Sequence, residues 1–157
     1  PSARRYREPD GVIEDVLKLM LQSDVHKKWF IHDLERLILP AIEAGKMKVF
    51  HEDDKPMGLY SHAFLSPEAA KGYLLKTRKI QPEDWSTDHE SGDLYIMDFI
   101  APYGNARGIA RMVQKDLMDR YAGIYRKDGV FMKRNGSDRL NFLSRSTEPR
   151  EEHEIRA

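Results

Sequence analysis

The sequence predicts one mixed α/β domain with a central, mostly antiparallel sheet flanked by helices, and three observations carry that expectation. Residues 94–101, LYIMDFIA, form a near-continuous apolar run of strand length that breaks into a Pro/Gly/Asn turn and then a helical pattern. Residues 46–65 and 129–144 each read as two short strands joined by a turn. Residues 12–21 and 29–40 repeat apolar side chains every three or four positions, as buried helix faces do. At 157 residues and 40% hydrophobic content, the chain has the size of one domain and enough apolar surface for one continuous core.

In chain order, residues 1–11 are polar and expected to be loosely ordered, and the first helix is expected from Val12 to Leu21. Ser23 to His26 interrupts that pattern. A second helix, carrying Trp29, Phe30, Leu34, Leu37, Ile38 and Leu39, is expected to end at Pro40. Met47 and Val49 alternate with Lys46 and Lys48, and Glu52-Asp53-Asp54-Lys55-Pro56 turns the chain into a second strand, Met57 to Leu65. Ser66-Pro67-Glu68 opens a helix, with Ser as N-cap and Pro in the first turn. Lys76 to Gly92 lacks periodicity and reads as a long loop around Trp85, a length that is often functional. In the apolar strand, alternation puts Asp98 on one face with Ile96 and Ile100. Ile109, Met112, Val113, Leu117 and Tyr121 then mark one stripe of a helix. Asn135-Gly136 is the turn of the last hairpin, and residues 147–157 are charged and expected to fray.

Composition narrows the chemistry. Lys plus Arg and Asp plus Glu number 26 each, so no global field draws the protein to nucleic acid or anionic lipid. There is no cysteine, which excludes disulfides, thiolate metal sites and a cysteine nucleophile. The six histidines form no i, i+4 pair, and no metal is expected. No apolar run approaches the ~18 residues that span a bilayer, so a cytoplasmic protein without stable membrane insertion is expected.

Three features stand out against that background. Asp98 is a charge in an apolar strand, and an ionised carboxylate there costs several kcal/mol unless something pairs with it; it is either a structural carboxylate or part of a site. His26 follows Ser23 at a helix junction, where an imidazole is held yet accessible, although a lone histidine more often has an ordinary role. Ser23 serves equally well as an N-cap, a nucleophile or a substrate-positioning hydroxyl. Gly104-Asn105-Ala106-Arg107-Gly108, with Arg111 beyond it, lies where strand gives way to helix; it is a phosphate-binding helix start or a plain turn into a packed helix.

Together these blocks say more than any one does. Ser23-x-x-His26-x-x-Trp29, Leu39-Pro40-Ala41-Ile42, Pro56-x-Gly58, Ala63-Phe64-Leu65-Ser66, Glu83-Asp84-Trp85 and residues 91–104 (SGDLYIMDFIAPYG) resemble, in order, the blocks of the RTX toxin-activating lysine acyltransferases. The likeness spans about residues 12–145. It implies a GNAT-like fold and transfer of a fatty acyl group from acyl carrier protein to internal lysines of an RTX-type protoxin. No cofactor would be bound; the donor is the acyl-phosphopantetheine of the carrier. His26 matches that family's essential histidine, Asp98 its essential aspartate and Ser23 a serine near the site. A homodimer is also implied. The chain departs from the family pattern at Ser61-His62-Ala63 and at Tyr95, where Trp is common, and in a shorter C-terminal region.

A lysine ammonium, with a pKa near ~10.4, must lose a proton before it attacks a thioester, so a base is required. His26, held in one tautomer by Asp98 across an open cleft, is the expected base. Lys76, Arg78, Lys79, Arg107 and Arg111 are candidate contacts for an acidic carrier. Two other functions fit parts of the sequence: an N-acetyltransferase using acyl-CoA and a small amine, and a binding module using the basic hairpin from Arg126 to Arg145.

Overall fold

The computed structural model describes the backbone of residues 2–127, 130–133 and 140–143, and the side chains of residues 11–121. Helix α1 (Ser2–Leu21) starts well before the expected Val12 and turns Val16, Leu19 and Met20 inward. A 3-10 turn (His26–Lys28) follows, and the expected second helix is two short ones, α2 (Ile31–Leu37) and α3 (Leu39–Glu43). Pro40 lies in the first turn of α3, where its missing N–H costs nothing, so it starts a helix and does not end one. Strands β1 (Met47–Glu52) and β2 (Lys55–Leu65) form the first hairpin; Asp53 and Asp54 both take positive φ, as a tight two-residue turn demands. Helix α4 (Pro67–Leu74) is capped by the Ser66 hydroxyl, which accepts from the Ala69 N–H at 3.2 Å.

Strand β3 (Asp93–Ile100), helix α5 (Ala106–Lys127), strand β4 (Val130–Lys133) and strand β5 (Leu140–Leu143) complete the chain. The sheet runs β1-β2-β3-β4-β5, antiparallel except for the β3/β4 pair, which is parallel because α5 crosses between them. The predicted class, helices around a mostly antiparallel sheet, is the observed one. Asn135-Gly136 and residues 147–157 lie outside the described residues.

Helices cover both faces. On one, Ile109, Val113 and Leu117 of α5 pack against Phe50, Tyr60, Phe64, Leu94 and Ile96. On the other, Val16, Leu19 and Met20 of α1 meet Ile38, Leu59 and Ile100, while Ala69 and Ala70 of α4 meet Trp85, Ala63, Leu65 and Tyr95. The long loop is tied down by individual bonds and by a 3-10 turn (Pro82–Ser86). Trp85 is buried with its Nε1–H donated to the Arg36 carbonyl at 2.7 Å, and Arg78 forks onto Asp84 at 2.7 and 2.9 Å. Burial alone would raise the Asp84 carboxyl, but the Arg78 fork and the Gln81 N–H hold it below the usual carboxylate range. Arg78 thereby ties the loop to itself through Asp84.

Candidate active site

The chain leaves α1 at Leu21 and tightens into the 3-10 turn, which carries the imidazole of His26 under the helix and onto the sheet. His26 Nε2 lies 2.9 Å from Asp98 Oδ1, joining residues 72 positions apart. The Ser23 hydroxyl sits 2.7 Å from His26 Nδ1 and also accepts the His26 backbone N–H at 3.4 Å. The Trp29 ring packs against the imidazole, centroids 4.7 Å apart. A carboxylate only accepts, so Nε2 carries the proton in neutral His26, Nδ1 holds the lone pair, and the Ser23 O–H donates to it. If His26 gains a proton, both ring N–H groups still find oxygens, so the site accommodates either charge state.

Asp98 reaches His26 because β3 is irregular. Ser61 pairs with Asp98 and His62 with Ile96, which leaves Met97 unmatched, a β-bulge. Leu94, Ile96, Phe99 and Ala101 pack on the α5 side, while Tyr95, Met97 and Ile100 pack on the α1/α4 side. The expectation that Asp98 shares a face with Ile96 is therefore corrected: the extra residue reverses the alternation, and Asp98 keeps Ile100 but not Ile96. The expected open cleft is corrected too. His26 is 3% and Asp98 8% exposed, while Ser23 is half-buried and stands nearer the solvent. Tyr73 lies within the field of Asp98; burial first and that negative charge second push its phenol up to about 12, so it stays neutral.

Sequence reasoning missed Ser61, whose hydroxyl contacts Asp98 twice. The signal was present: Ser61 lies in the middle of a largely apolar strand, where a buried hydroxyl needs a partner. The Gly104 to Gly108 stretch does form a turn and a helix start, with Gly104 at φ +76°, a conformation that favours glycine. Arg107 and Arg111 are exposed on the first turns of α5, and Asn105 Oδ1 is buried without a partner among the described residues. A groove of about 440 Å³ lined by Glu35, Pro40, Glu43 and Trp85 includes none of Ser23, His26 and Asp98. Among the described residues no group of three or more His, Asp or Glu could hold a metal, and no helix is long and apolar enough to cross a membrane.

A serine, a histidine and an aspartate hydrogen-bonded in one chain on a mixed α/β scaffold form an arrangement of the kind that can pass a proton. The particular family follows from comparison. The pattern of the RTX toxin acyltransferase family matches residues 10–138, and the chain belongs to that family. It is 29% identical over 106 residues to the leukotoxin-activating lysine-acyltransferase LktC of a Pasteurella haemolytica-like species, covering 67% of this chain and 62% of that one. It is 29% identical over 121 residues to LktC serotype A1 of Mannheimia haemolytica, covering 74% and 70%. To the protein-lysine myristoyltransferase HlyC of Escherichia coli it is 30% identical over 122 residues, covering 77% and 69%. The chain thus spans a little under two thirds of the first of these relatives.

Proposed function

We propose that the protein is a protein-lysine acyltransferase that moves a fatty acyl group from acyl carrier protein to internal lysines of an RTX-type protoxin, with His26 as general base and Asp98 as its orienting carboxylate. The observation that supports this most is the 2.9 Å contact between His26 Nε2 and Asp98 Oδ1, which makes Nδ1 the basic atom. The lysine ammonium gives one proton to Nδ1, at the place the Ser23 hydroxyl occupies when no substrate is there. The free amine attacks the thioester carbonyl, the C–N bond forms and the C–S bond breaks. The imidazolium hands its proton to the departing sulfur, and a second ammonium proton leaves to solvent. Asp98 stabilises the imidazolium between these events. The phosphate of the donor arm rests against the first turn of α5 near Arg107 and Arg111, where helix N–H groups favour an anion.

Purified protein, acylated carrier and protoxin are mixed, and acyl-lysines are mapped by mass spectrometry. The His26→Ala and Asp98→Asn variants, shown by circular dichroism to be folded, are expected to lose about 10²- to 10⁴-fold in rate, the usual worth of a general base. Wild-type rates in either folded variant would refute the pair. A second reading is favoured by the 2.7 Å contact of Ser23 with Nδ1, the geometry of an activated hydroxyl: Ser23 takes the acyl group before lysine does. An acyl adduct on Ser23, seen by intact mass with acylated carrier alone and discharged by protoxin, would select that route.

A further inference from the structure

We infer that Ser61 is a positioning residue for the proposed transfer: with the bulge at Met97 it turns the Asp98 carboxylate toward His26 and fixes its plane. The inference rests on the reading of His26 and Asp98 as base and orienter. Without the extra residue, Asp98 would follow Leu94 and Ile96 to the α5 side, among Ile109, Val113 and Leu117, away from the imidazole. A bulge also disturbs the ladder where it falls, so a backbone N–H there needs another acceptor. Ser61 Oγ supplies it, accepting the Asp98 N–H at 3.1 Å. The same hydroxyl lies 3.4 Å from Asp98 Oδ2 and donates to it, while Oδ1 accepts from His26. Each carboxylate oxygen thus has a side-chain donor, and the acid cannot rotate without breaking a bond.

Ser61 is 0% exposed, so it touches no substrate and acts only through Asp98. Alanine at this position removes the hydroxyl that both the Asp98 N–H and Oδ2 use.

Two readouts test this on the full chain. In Ser61→Ala, kcat for lysine acylation is expected to fall about 10- to 100-fold with the KM for acyl carrier within about twofold of wild type. The pH dependence of kcat is expected to shift, because the imidazole proton is held differently. The second readout needs no activity: the downfield proton resonance of His26 Nε2–H, assigned by its absence in His26→Ala, is expected to move or broaden in Ser61→Ala. Ser61→Thr, which keeps the hydroxyl, is expected to restore both. Should Ser61→Ala fail to fold, Ser61→Cys keeps the volume while weakening the hydrogen bonds and carries the same measurements. A Ser61→Ala enzyme with wild-type kcat, or with an unmoved Nε2–H resonance, overturns the inference; so does a loss of activity that merely tracks a lowered melting temperature. If His26→Ala still acylates lysine at the wild-type rate, the functional reading has failed instead, and the resonance still decides what Ser61 does.

Discussion

Two buried histidines in this protein differ in what surrounds their ring nitrogens, and that difference decides what each can do. His26 has a carboxylate on Nε2 and a hydroxyl on Nδ1, so a proton gained there is neutralised on the spot. His62, 0% exposed, has only the Tyr121 hydroxyl on Nε2, and its Nδ1 has no partner among the described residues. Burial first, then the positive charges of Arg120 and Lys46, push the His62 imidazole down to about 3. It stays neutral near neutral pH. The folded value lies below the unfolded value near ~6.5, so the unfolded chain binds the extra proton first. This site therefore weakens the fold as pH drops from about 6.5 toward 3, at up to ~1.4 kcal/mol per unit, and contributes no pH dependence above that window. Urea unfolding at a series of pH values is expected to show the slope, and His62→Gln to flatten it. An unchanged slope in the variant would assign the effect to other groups.

Among elements, those with a strong local period were legible and those held by single contacts were not. The β1/β2 hairpin, the Ser66 start of α4, the apolar β3 and the Ile109/Val113/Leu117 face of α5 all appear where spacing and turn chemistry put them. The bulge at Met97 was invisible for a physical reason: Tyr95, Ile96, Met97, Phe99 and Ile100 are apolar on both faces, so alternation carries no phase there. A charge in such a strand demands some partner, but that the partner is His26 came from the family resemblance, and the depth of the pair and the role of Ser61 depend on the register of β2 against β3. The 76–92 segment was opaque because one tryptophan and a few hydrogen bonds anchor it, with no period at all. Its C-terminal end shows how tight that anchoring is. A Cβ on Gly92 would meet the Leu65 carbonyl at 2.5 Å, and that neighbour is backbone of a paired strand with nowhere to go. Gly92→Ala is expected to cost about 1–3 kcal/mol in denaturant unfolding, the usual cost of overpacking. Trp85→Ala, which empties the anchor, is expected to cost about 3–5 kcal/mol. A Gly92→Ala protein as stable as wild type would mean that β2 and the loop are less closely joined than the geometry has them.

On the scale of the molecule, the site is assembled from two layers: Ser23 and His26 come from the turn that follows α1, Asp98 and Ser61 from the sheet. What holds the layers in register is the cluster of Val16, Leu19, Met20, Ile38, Leu59 and Ile100. The opposite face is closed by a separate cluster around Leu117, which touches neither catalytic candidate. Leu19 and Leu117 are both fully buried, so the same truncation at each removes a similar amount of packing. Leu19→Ala and Leu117→Ala are each expected to cost about 2–5 kcal/mol. Their effects on catalysis should part, because only the first loosens the seating of α1 on Leu59 and Ile100, beside the His26–Asp98 contact. Assayed well below either melting temperature, Leu19→Ala is expected to lose about tenfold or more in kcat, whereas Leu117→Ala stays within about threefold of wild type, since misplacing a base by a fraction of an ångström is enough to slow transfer. Equal losses of kcat in the two variants would mean that activity follows global stability alone, and that the α1 interface has no special part in bringing the imidazole to its carboxylate.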